Sequence, residues 1–381
     1  MANTTQSAKV WKKFKRNTFA LIGLIFIILM VVVGALGYLI TPDQTPYANT
    51  QKLQISKEKP GSKFKFLIVQ WYSNVEEVGF FKKMIYGQPT KFKSVPITSY
   101  KIVKDEVIAY EYIGEEKNVT PTVYKLKDIC RSCTLPSKLG NAEMLFERNN
   151  IYEQTFWLGT DIYGRDLLSR LILGVRVSLS VGLMAVLISM FIGVGLGAIA
   201  GYFGGKIDAG ISWFMNVIWS LPSLLLVIAI SFALGKGFWQ IFIAVGLSTW
   251  VDVARLVRGQ VMALKQVEFV EAAKALGFSN SRTIIKHILP NIAGPILVVG
   301  SANFASAILL ETGLSFLGFG AQPPMPSWGT MIKEHYGYII MDAAYLAVLP
   351  GLAIMLTVYA FNLIAIGLRD AFDVKGQNTN V

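Results

Sequence analysis

The residues best suited to chemistry lie in the polar stretch from Glu268 to Pro290, which reads EFVEAAKALGFSNSRTIIKHILP. Glu268 and Glu271 stand at the start of a predicted helix, where the positive end of the helix dipole favours carboxylates. Apolar side chains recur there at helical spacing and form one stripe: Phe269, Ala272, Ala273 and Leu276. Gly277 follows as a C-terminal cap, and Pro290 marks where a second short helix ends. This pattern predicts an amphipathic helix that binds a partner outside the bilayer.

Two further residues are candidates for a transport pathway. Glu311 interrupts an apolar run, and a carboxylate at membrane depth usually faces a cavity or a partner. It is interpreted either as a pathway-lining or gating group, or as a residue near the outer interface that is paired locally. Pro222 is expected to kink another apolar run, and the freed backbone groups are tolerable inside a protein-lined cavity.

The composition places the chain in a membrane. Of its 381 residues, 53% are hydrophobic and 16% are charged, whereas soluble domains contain about 25% charged residues. Lys and Arg flank the apolar runs and do not form one patch, which argues against nucleic-acid binding. The sequence contains no GxxxxGK[ST] motif, so another subunit must bind ATP if ATP drives the protein. We recognise no nucleophile–base pair or metal cluster, and expect neither an enzyme nor a bound cofactor.

Six apolar runs are long enough to cross a bilayer, which predicts an all-α polytopic protein. The runs are Phe19–Ile40, Val177–Tyr202, Ile211–Leu234, Phe238–Val253, Asn291–Phe319 and Ala343–Leu368. A cleavable signal peptide is an alternative for the first run, but its apolar part exceeds the usual length of about 7–15 residues. The dense Lys/Arg clusters lie before the first run and in residues 255–286. The positive-inside rule therefore predicts a cytoplasmic location for both clusters and both termini.

Residues 41–156 differ in composition from the apolar runs. Phe64–Val69, Lys101–Ile113 and Thr122–Leu126 are rich in β-branched and aromatic residues and predict strands. About 115 residues are enough for a small domain with its own core. The predicted organisation is therefore an N-terminus and first span (1–40), a β-rich extracytoplasmic domain (41–156), the remaining spans (157–372) and a cytoplasmic tail (373–381).

Cys130 and Cys133 fall within this predicted domain. A metal site would usually need a second ligand pair, and a redox motif would need a βαβ setting that the sequence does not indicate. In an oxidising compartment a local structural disulfide is favoured, with free thiols or a functional pair as alternatives.

Two patterns in or next to the second span are expected to serve packing and anchoring of the helices. Gly193, Gly197 and Gly201 recur at a spacing of four, which lets another helix approach closely. Arg165 and Asp166 precede the second span, and we expect them to anchor the loop at the outer face by ion pairing or helix capping.

The stretch described first also resembles the EAA loop of ABC-importer permeases. The resemblance comprises Glu271-Ala272-Ala273, Gly277 four residues later, and Leu289-Pro290 at the matching distance. The segments LGTDIYGRDLLSRLILGVRVSL and ETGLSFLGFGAQPPMPSWGTM are similar to the oligopeptide/dipeptide subfamily. Together the resemblance covers residues 1–40 and 157–372.

The resemblance implies the permease subunit of an ATP-driven peptide importer, with the type I importer fold. It implies four kinds of partner: a second related permease, two cytoplasmic P-loop ATPases, an extracytoplasmic binding protein and membrane lipid. Glu268, Glu271, Ala272, Ala273, Gly277, Leu289 and Pro290 would form the element that docks on the ATPase. Residues 41–156 depart from the family, where a short loop is usual at this point.

Two other functions fit parts of the sequence. An importer of nickel or another metal chelate would share the permease pattern. A secondary transporter or channel would need ionisable residues within several spans, and Glu311 is nearly alone in that respect.

Overall fold

The computed structural model describes residues 6–72, 75–103, 105–114, 121–129, 146–235 and 237–372. In chain order the elements are α1 (Gln6–Arg16), α2 (Thr18–Ile40), β1 (Ser62–Trp71), α3 (Phe80–Tyr86), β2 (Phe92–Val103), β3 (Glu106–Glu111), β4 (Thr122–Lys125), α4 (Leu126–Ile129), β5 (Ile151–Phe156), α5 (Leu167–Phe203), α6 (Gly205–Trp219), α7 (Ser223–Leu234), α8 (Phe238–Leu264), α9 (Glu268–Ala275), α10 (Asn280–Leu317), α11 (Trp328–His335) and α12 (Tyr345–Phe372). The architecture is mostly helical.

Five of these helices are long and apolar enough to cross a membrane: α2, α5, α8, α10 and α12. The third predicted span, Ile211–Leu234, is broken at Pro222 as the sequence indicated, and α6 and α7 meet there at an angle of 94°. Pro222 lacks a backbone N–H and cannot continue the helix ladder. The bent pair brings the number of spans to six if its two helices are taken as one.

The segment between α2 and α5 contains one small antiparallel sheet with the strand order β4-β3-β2-β1-β5. Its core is formed by alternate strand residues and the flanking helices: Leu67, Val95, Ile97, Val107, Ala109, Leu126, Ile129 and Phe146. The predicted strand Lys101–Ile113 is in fact the end of β2, a turn at Asp105, and β3. Among the described residues of this segment the strands all belong to this one small sheet, so a separate β-rich domain is not supported.

The helices are held together by close contact between α5 and α8. A Cβ atom on Gly193, Gly197 or Gly201 would lie only 2.7, 2.5 and 2.6 Å from the carbonyl oxygens of Trp250, Ala254 and Arg258. Only glycine allows the two backbones to approach this closely. The small-residue face predicted from the sequence is confirmed, and α8 is the helix that it contacts.

The junction between the sheet and the helices is a network of buried charges. Asp161 is fully buried, and its Oδ2 lies 2.5 Å from Nε of Arg165. Arg165 also donates from Nη2 to Oε2 of Glu334 at 2.9 Å, which joins the start of α5 to α11. Arg170, 2% exposed, lies 3.7 Å from Asp161. Arg165 therefore anchors this loop as the sequence predicted.

Asp166 caps α5 within the same junction. Its Oδ2 accepts hydrogen bonds from the backbone N–H of Ser169, at 2.8 Å, and from the Ser169 hydroxyl, while Oδ1 has no partner among the described residues. Burial raises the pKa of Asp166 to about 6, although the Ser169 hydrogen bonds oppose this shift. The carboxylate is thus destabilised when it is ionised in the folded protein.

We expect Gly197→Ala to lower the thermal unfolding midpoint, because the added Cβ would overlap the Ala254 carbonyl and overpacking costs about 1–3 kcal/mol. The control is Gly195→Ala on the same helix, where a Cβ meets nothing within 4 Å. Unfolding of both variants is followed in detergent by intrinsic fluorescence. Equal midpoints for the two variants would contradict the close contact between α5 and α8.

We expect Asp166→Asn to stabilise the protein relative to wild type increasingly as the pH rises from 3.8 to about 6. The folded-state pKa of Asp166 is raised from 3.8 to about 6, so the folded state binds more protons in this window and loses stability as the pH rises. A pKa difference of this size between the folded and unfolded states corresponds to about 2–3 kcal/mol in the free energy of unfolding. Asn keeps the oxygen that accepts from Ser169 and removes the charge.

The readout is the difference in unfolding midpoint between Asp166→Asn and wild type across this pH range. Asp166→Ala is the control, since it also removes the cap, which is worth about 1 kcal/mol. A difference between Asn and wild type that does not change with pH would rule out a buried ionised carboxylate at this position.

Candidate functional site

The candidate site is α9, which lies at the end of the helix bundle opposite the sheet. α8 continues for eleven residues beyond the predicted end of its span at Val253 and ends at Leu264. Val270 of α9 is fully buried against residues of α5, α8 and α10, among them Val257, Val261 and Ile288. Ala273, one turn later, is 2% exposed. These two side chains fix one face of α9 onto the bundle.

The opposite face of α9 is exposed. Glu268, Glu271, Ala272 and Leu276 are all solvent-accessible, and Leu276 is 74% exposed. Of the apolar stripe predicted from the sequence, only Ala273 is buried, whereas Phe269, Ala272 and Leu276 face outward. The helix therefore presents two carboxylates together with apolar side chains, a combination that suits contact with another protein.

Gly277 ends α9 for a conformational reason. Its φ is +78°, and an added Cβ would meet nothing within 4 Å, so crowding plays no part. The N–H of Phe278 donates to the Ala273 carbonyl at 3.1 Å, and the N–H of Gly277 donates to the Lys274 carbonyl at 2.9 Å. These two bonds form a Schellman motif, which favours glycine at the left-handed position. Gly277 is the helix cap that the sequence predicted.

The chain after Gly277 returns to the bundle through an irregular first part of α10. Thr283–Ile288 is wound as a π-helix and Leu289–Ile292 as a 3-10 helix, where Pro290 removes a backbone donor. Leu289 packs against the cluster that holds Val270, and Pro290 is exposed. Both therefore lie beside α9: Leu289 supports it, and Pro290 belongs to the exposed surface.

Stacked side chains order this return segment. The Phe278 ring stacks on His287, with centroids 5.5 Å apart, and the Arg282 guanidinium lies 4.2 Å from the Phe278 centroid. Stacking and cation–π contacts of this kind rigidify an exposed loop. The exposed surface around α9 is thus held in one shape.

Sequence reasoning missed two residues that position α9. Tyr202, at the end of α5, donates from its hydroxyl to Oδ1 of Asn280 at 3.0 Å and is 4% exposed. Arg258 of α8 forms a two-point ion pair with Asp208 of α6, with Nη2 lying 2.6 Å from Oδ2. Two signals were available in the sequence. One is a tyrosine at the end of an apolar run, and the other is an Asp in the first turn of the next helix.

Glu311 is buried in protein packing between α10 and α11. It is 0% exposed, and its Oε1 accepts a hydrogen bond from the Ser315 hydroxyl at 2.6 Å. Ser315 in turn lies 3.4 Å from the hydroxyl of Ser327, the residue that caps α11. Of the two interpretations of Glu311, this geometry favours local pairing.

Pro222, the other candidate for the transport pathway, lies at the 94° bend between α6 and α7 and is exposed.

Two other sets of residues were considered as sites. Cys130 and Cys133 lie outside the described residues. Asp161, Glu334 and His335 bring ligand-type atoms within 4.8 Å of one another, as a metal site would. Arg165 bonds both carboxylates and Arg170 lies 3.7 Å from Asp161, so two guanidinium groups balance the two carboxylates.

Comparison with known families places most of the chain. Residues 193–375 match the profile described as the binding-protein-dependent transport system inner membrane component. Residues 5–60 match the N-terminal transmembrane domain of oligopeptide transport permease C. Between them lie residues 61–192, which include the sheet.

Curated relatives agree with both profiles. The chain is 41% identical over 238 residues to the glutathione transport system permease protein GsiD of Pectobacterium atrosepticum, covering 62% of this chain and 79% of the relative. It is 45% identical over 219 residues to the dipeptide transport system permease protein DppC of Alkalihalophilus pseudofirmus, covering 58% and 72%. It is 43% identical over 222 residues to the oligopeptide transport system permease protein OppC of Haemophilus influenzae, covering 58% and 71%.

Among solved structures, an inward-facing form of the MetNI methionine ABC transporter aligns with a TM-score of 0.41 at 20% identity, over 53% of this chain and 96% of that one.

The three curated relatives are named for glutathione, dipeptide and oligopeptide transport, so they do not favour the nickel-chelate or secondary-transporter alternatives. On the identity and coverage of those relatives, the chain belongs to the binding-protein-dependent transport system inner membrane component family.

Proposed function

We propose that this chain is the membrane permease subunit of an ATP-driven importer of peptides, and that α9 is the docking element for the ATPase. The observation that carries the proposal is the division of α9 into a fixed face and a free face. Val270 and Ala273 hold the helix to the bundle, while Glu271, Ala272 and Leu276 remain exposed on a structured surface. Peptide is the substrate class because the relatives are named for glutathione, dipeptide and oligopeptide transport.

The proposed complex contains a second related permease, two cytoplasmic P-loop ATPases and an extracytoplasmic binding protein. Exposed apolar side chains on α6 and α7 support the second permease. Only Met215 of α6, and Val227 and Ser231 of α7, are buried, whereas Trp213, Trp219, Leu225 and Phe232 are each at least 60% exposed. An exposed apolar surface marks a contact with another protein or with membrane lipid, and we assign the second permease to this one.

The proposed orientation follows from the basic residues. α1 carries Lys13, Lys15 and Arg16 in its last turn, directly before α2. Arg255, Arg258 and Lys265 lie near the end of α8, next to α9. The positive-inside rule puts both regions in the cytoplasm, and with them α9. Residues 41–156 then lie on the extracytoplasmic side, in the inner membrane of a prokaryote.

In the proposed mechanism, closure of the ATPases on ATP moves α9, and α9 moves the helices that it is packed on. Val270 transmits the displacement to Val257 and Val261 of α8, and the close α5–α8 contact moves those two helices as one body. ATP acts only because it binds one arrangement of the ATPases more tightly than the other. ATP hydrolysis takes place in the ATPase subunits, and the permease contributes no catalytic residue.

We expect Ala272→Leu to weaken ATPase binding by about 5- to 150-fold, since overpacking at a docking surface costs about 1–3 kcal/mol. Ala272 is exposed on the same face as the two carboxylates and Leu276. Because its side chain takes no part in the core, the chain itself still folds. The tagged chain is purified gently from its native membrane, and the co-purified P-loop subunits and the ATPase rate are measured.

The matched control is Ala35→Leu, the same change at an exposed position of α2 that belongs to neither the proposed docking surface nor the proposed permease interface. It should leave both the recovery of ATPase subunits and the ATPase rate unchanged. If wild type yields a second permease and ATPases but Ala272→Leu retains them in full, the docking role of α9 is wrong. If wild type yields no ATPase at all, the importer itself is wrong.

A further inference from the structure

The short helix α3 is amphipathic and has no buried side chain. Its sequence is FFKKMIY, and none of its residues is buried. Phe80, Phe81 and Ile85 are 61%, 74% and 54% exposed. At 100° per residue these three and Met84 occupy one continuous arc of the helix, and Lys82, Lys83 and Tyr86 occupy the remainder.

α3 is fixed at a defined depth along α2. Arg176 of α5 donates from Nη2 to the carbonyl of Met84 at 2.6 Å and from Nη1 to the carbonyl of Ile85 at 3.0 Å. The same guanidinium donates to the carbonyls of Gly34 and Ala35 in α2, the latter at 2.8 Å. The C-terminal end of α3 is therefore level with residues that precede the end of α2 by more than one turn.

A second contact sets the same position. Gly87, which follows α3, has φ +81°, and a Cβ there would lie 2.7 Å from the Gln44 carbonyl and 3.0 Å from the Tyr38 ring. Tyr38 belongs to the last turn of α2. The end of α3 is thus pressed against the end of the first span and cannot move away from it without losing these contacts.

On the polar side of α3, Lys83 faces the protein, whereas Lys82 and Tyr86 are exposed. Lys83 lines a cavity of about 620 Å³ between the sheet and the start of α5, together with Gln88, Asp43 and Lys52. The apolar arc points away from that cavity. It continues the exposed apolar surface of α2, where Leu36 is 37% and Ile40 is 49% exposed.

We propose that α3 is an interfacial anchor whose apolar face inserts into the membrane leaflet at the C-terminal end of α2. Lipid is the occupant that fits, because Arg176 holds α3 level with the hydrocarbon-spanning part of α2 and the exposed apolar surface is continuous with that span. Lys82, which is exposed, extends towards the headgroups, as lysines do at membrane interfaces. The anchor fixes the sheet close to the bilayer and in register with the helices.

The test places a photo-reactive p-benzoylphenylalanine at position 81 of the full chain in its native membrane. Illumination is followed by mass spectrometry of the peptide that contains the residue. Position 29, in the middle of α2 and 56% exposed, is the control for lipid contact, and position 123 of β4, 52% exposed, is the control for water. All three side chains are more than half exposed on the surface of the chain, so the substitution itself leaves the packing intact.

We expect phospholipid adducts at positions 81 and 29 and none at position 123. The same positions in the purified chain in lipid nanodiscs should give the same pattern, since no other protein is needed. A protein adduct at position 81 in native membranes would show that a partner subunit, and not lipid, contacts α3, which would overturn the proposal. A position 81 that behaves like position 123 would place α3 in water and overturn it as well.

Discussion

The structure depends on the contact between the glycine face of α5 and the backbone of α8. Three glycines, Gly193, Gly197 and Gly201, let the carbonyls of Trp250, Ala254 and Arg258 lie where side chains would otherwise be. Contact over more than two turns makes the two helices one rigid unit. α8 can then extend to Leu264 beyond its apolar part and hold α9 in a fixed position. A looser helix pair could not transmit a displacement of α9 into the bundle.

The two ends of this unit have different chemistry. At the sheet end, Asp161, Arg165 and Glu334 form buried ion pairs that join the first residues of α5 to α11. At the α9 end, one buried valine and one buried alanine hold a short helix whose outer face is free. Removing one partner from a buried ion pair is strongly destabilising, so the sheet end resists rearrangement. The α9 end exposes the apolar side chains of Phe269 and Leu276.

Sequence patterns predicted these features to different depths. The glycine spacing predicted a close helix contact, but the identity of α8 as the partner depends on tertiary packing that no spacing encodes. Helical periodicity located α9 correctly, but the direction of its buried face is decided by Val257 and Val261 of another helix. Pro222 predicted a kink, but the size of the bend, 94°, is set by how the two helices pack and not by the proline alone.

The region around the sheet was predictable only in part. Alternation identified β1, β3 and β4 but missed β5 and most of β2. It also merged the end of β2 with β3, since Asp105 alone is a weak turn signal. The helix α11 was overlooked because three prolines precede it, although Ser327 and Thr330 form a capping box that marks its start. The network of Asp161 and Glu334 joins residues far apart in the chain, and a single sequence contains no signal for such a pairing.

The most direct test of the account is amide hydrogen exchange over residues 268–278, measured in the purified chain alone and in its complex from native membranes. The account predicts that exchange in this segment slows in the complex, because a partner covers α9, while exchange in β1 stays the same. Unchanged exchange of α9 in a complex that contains the ATPases would contradict the account, since the ATPases would then bind elsewhere.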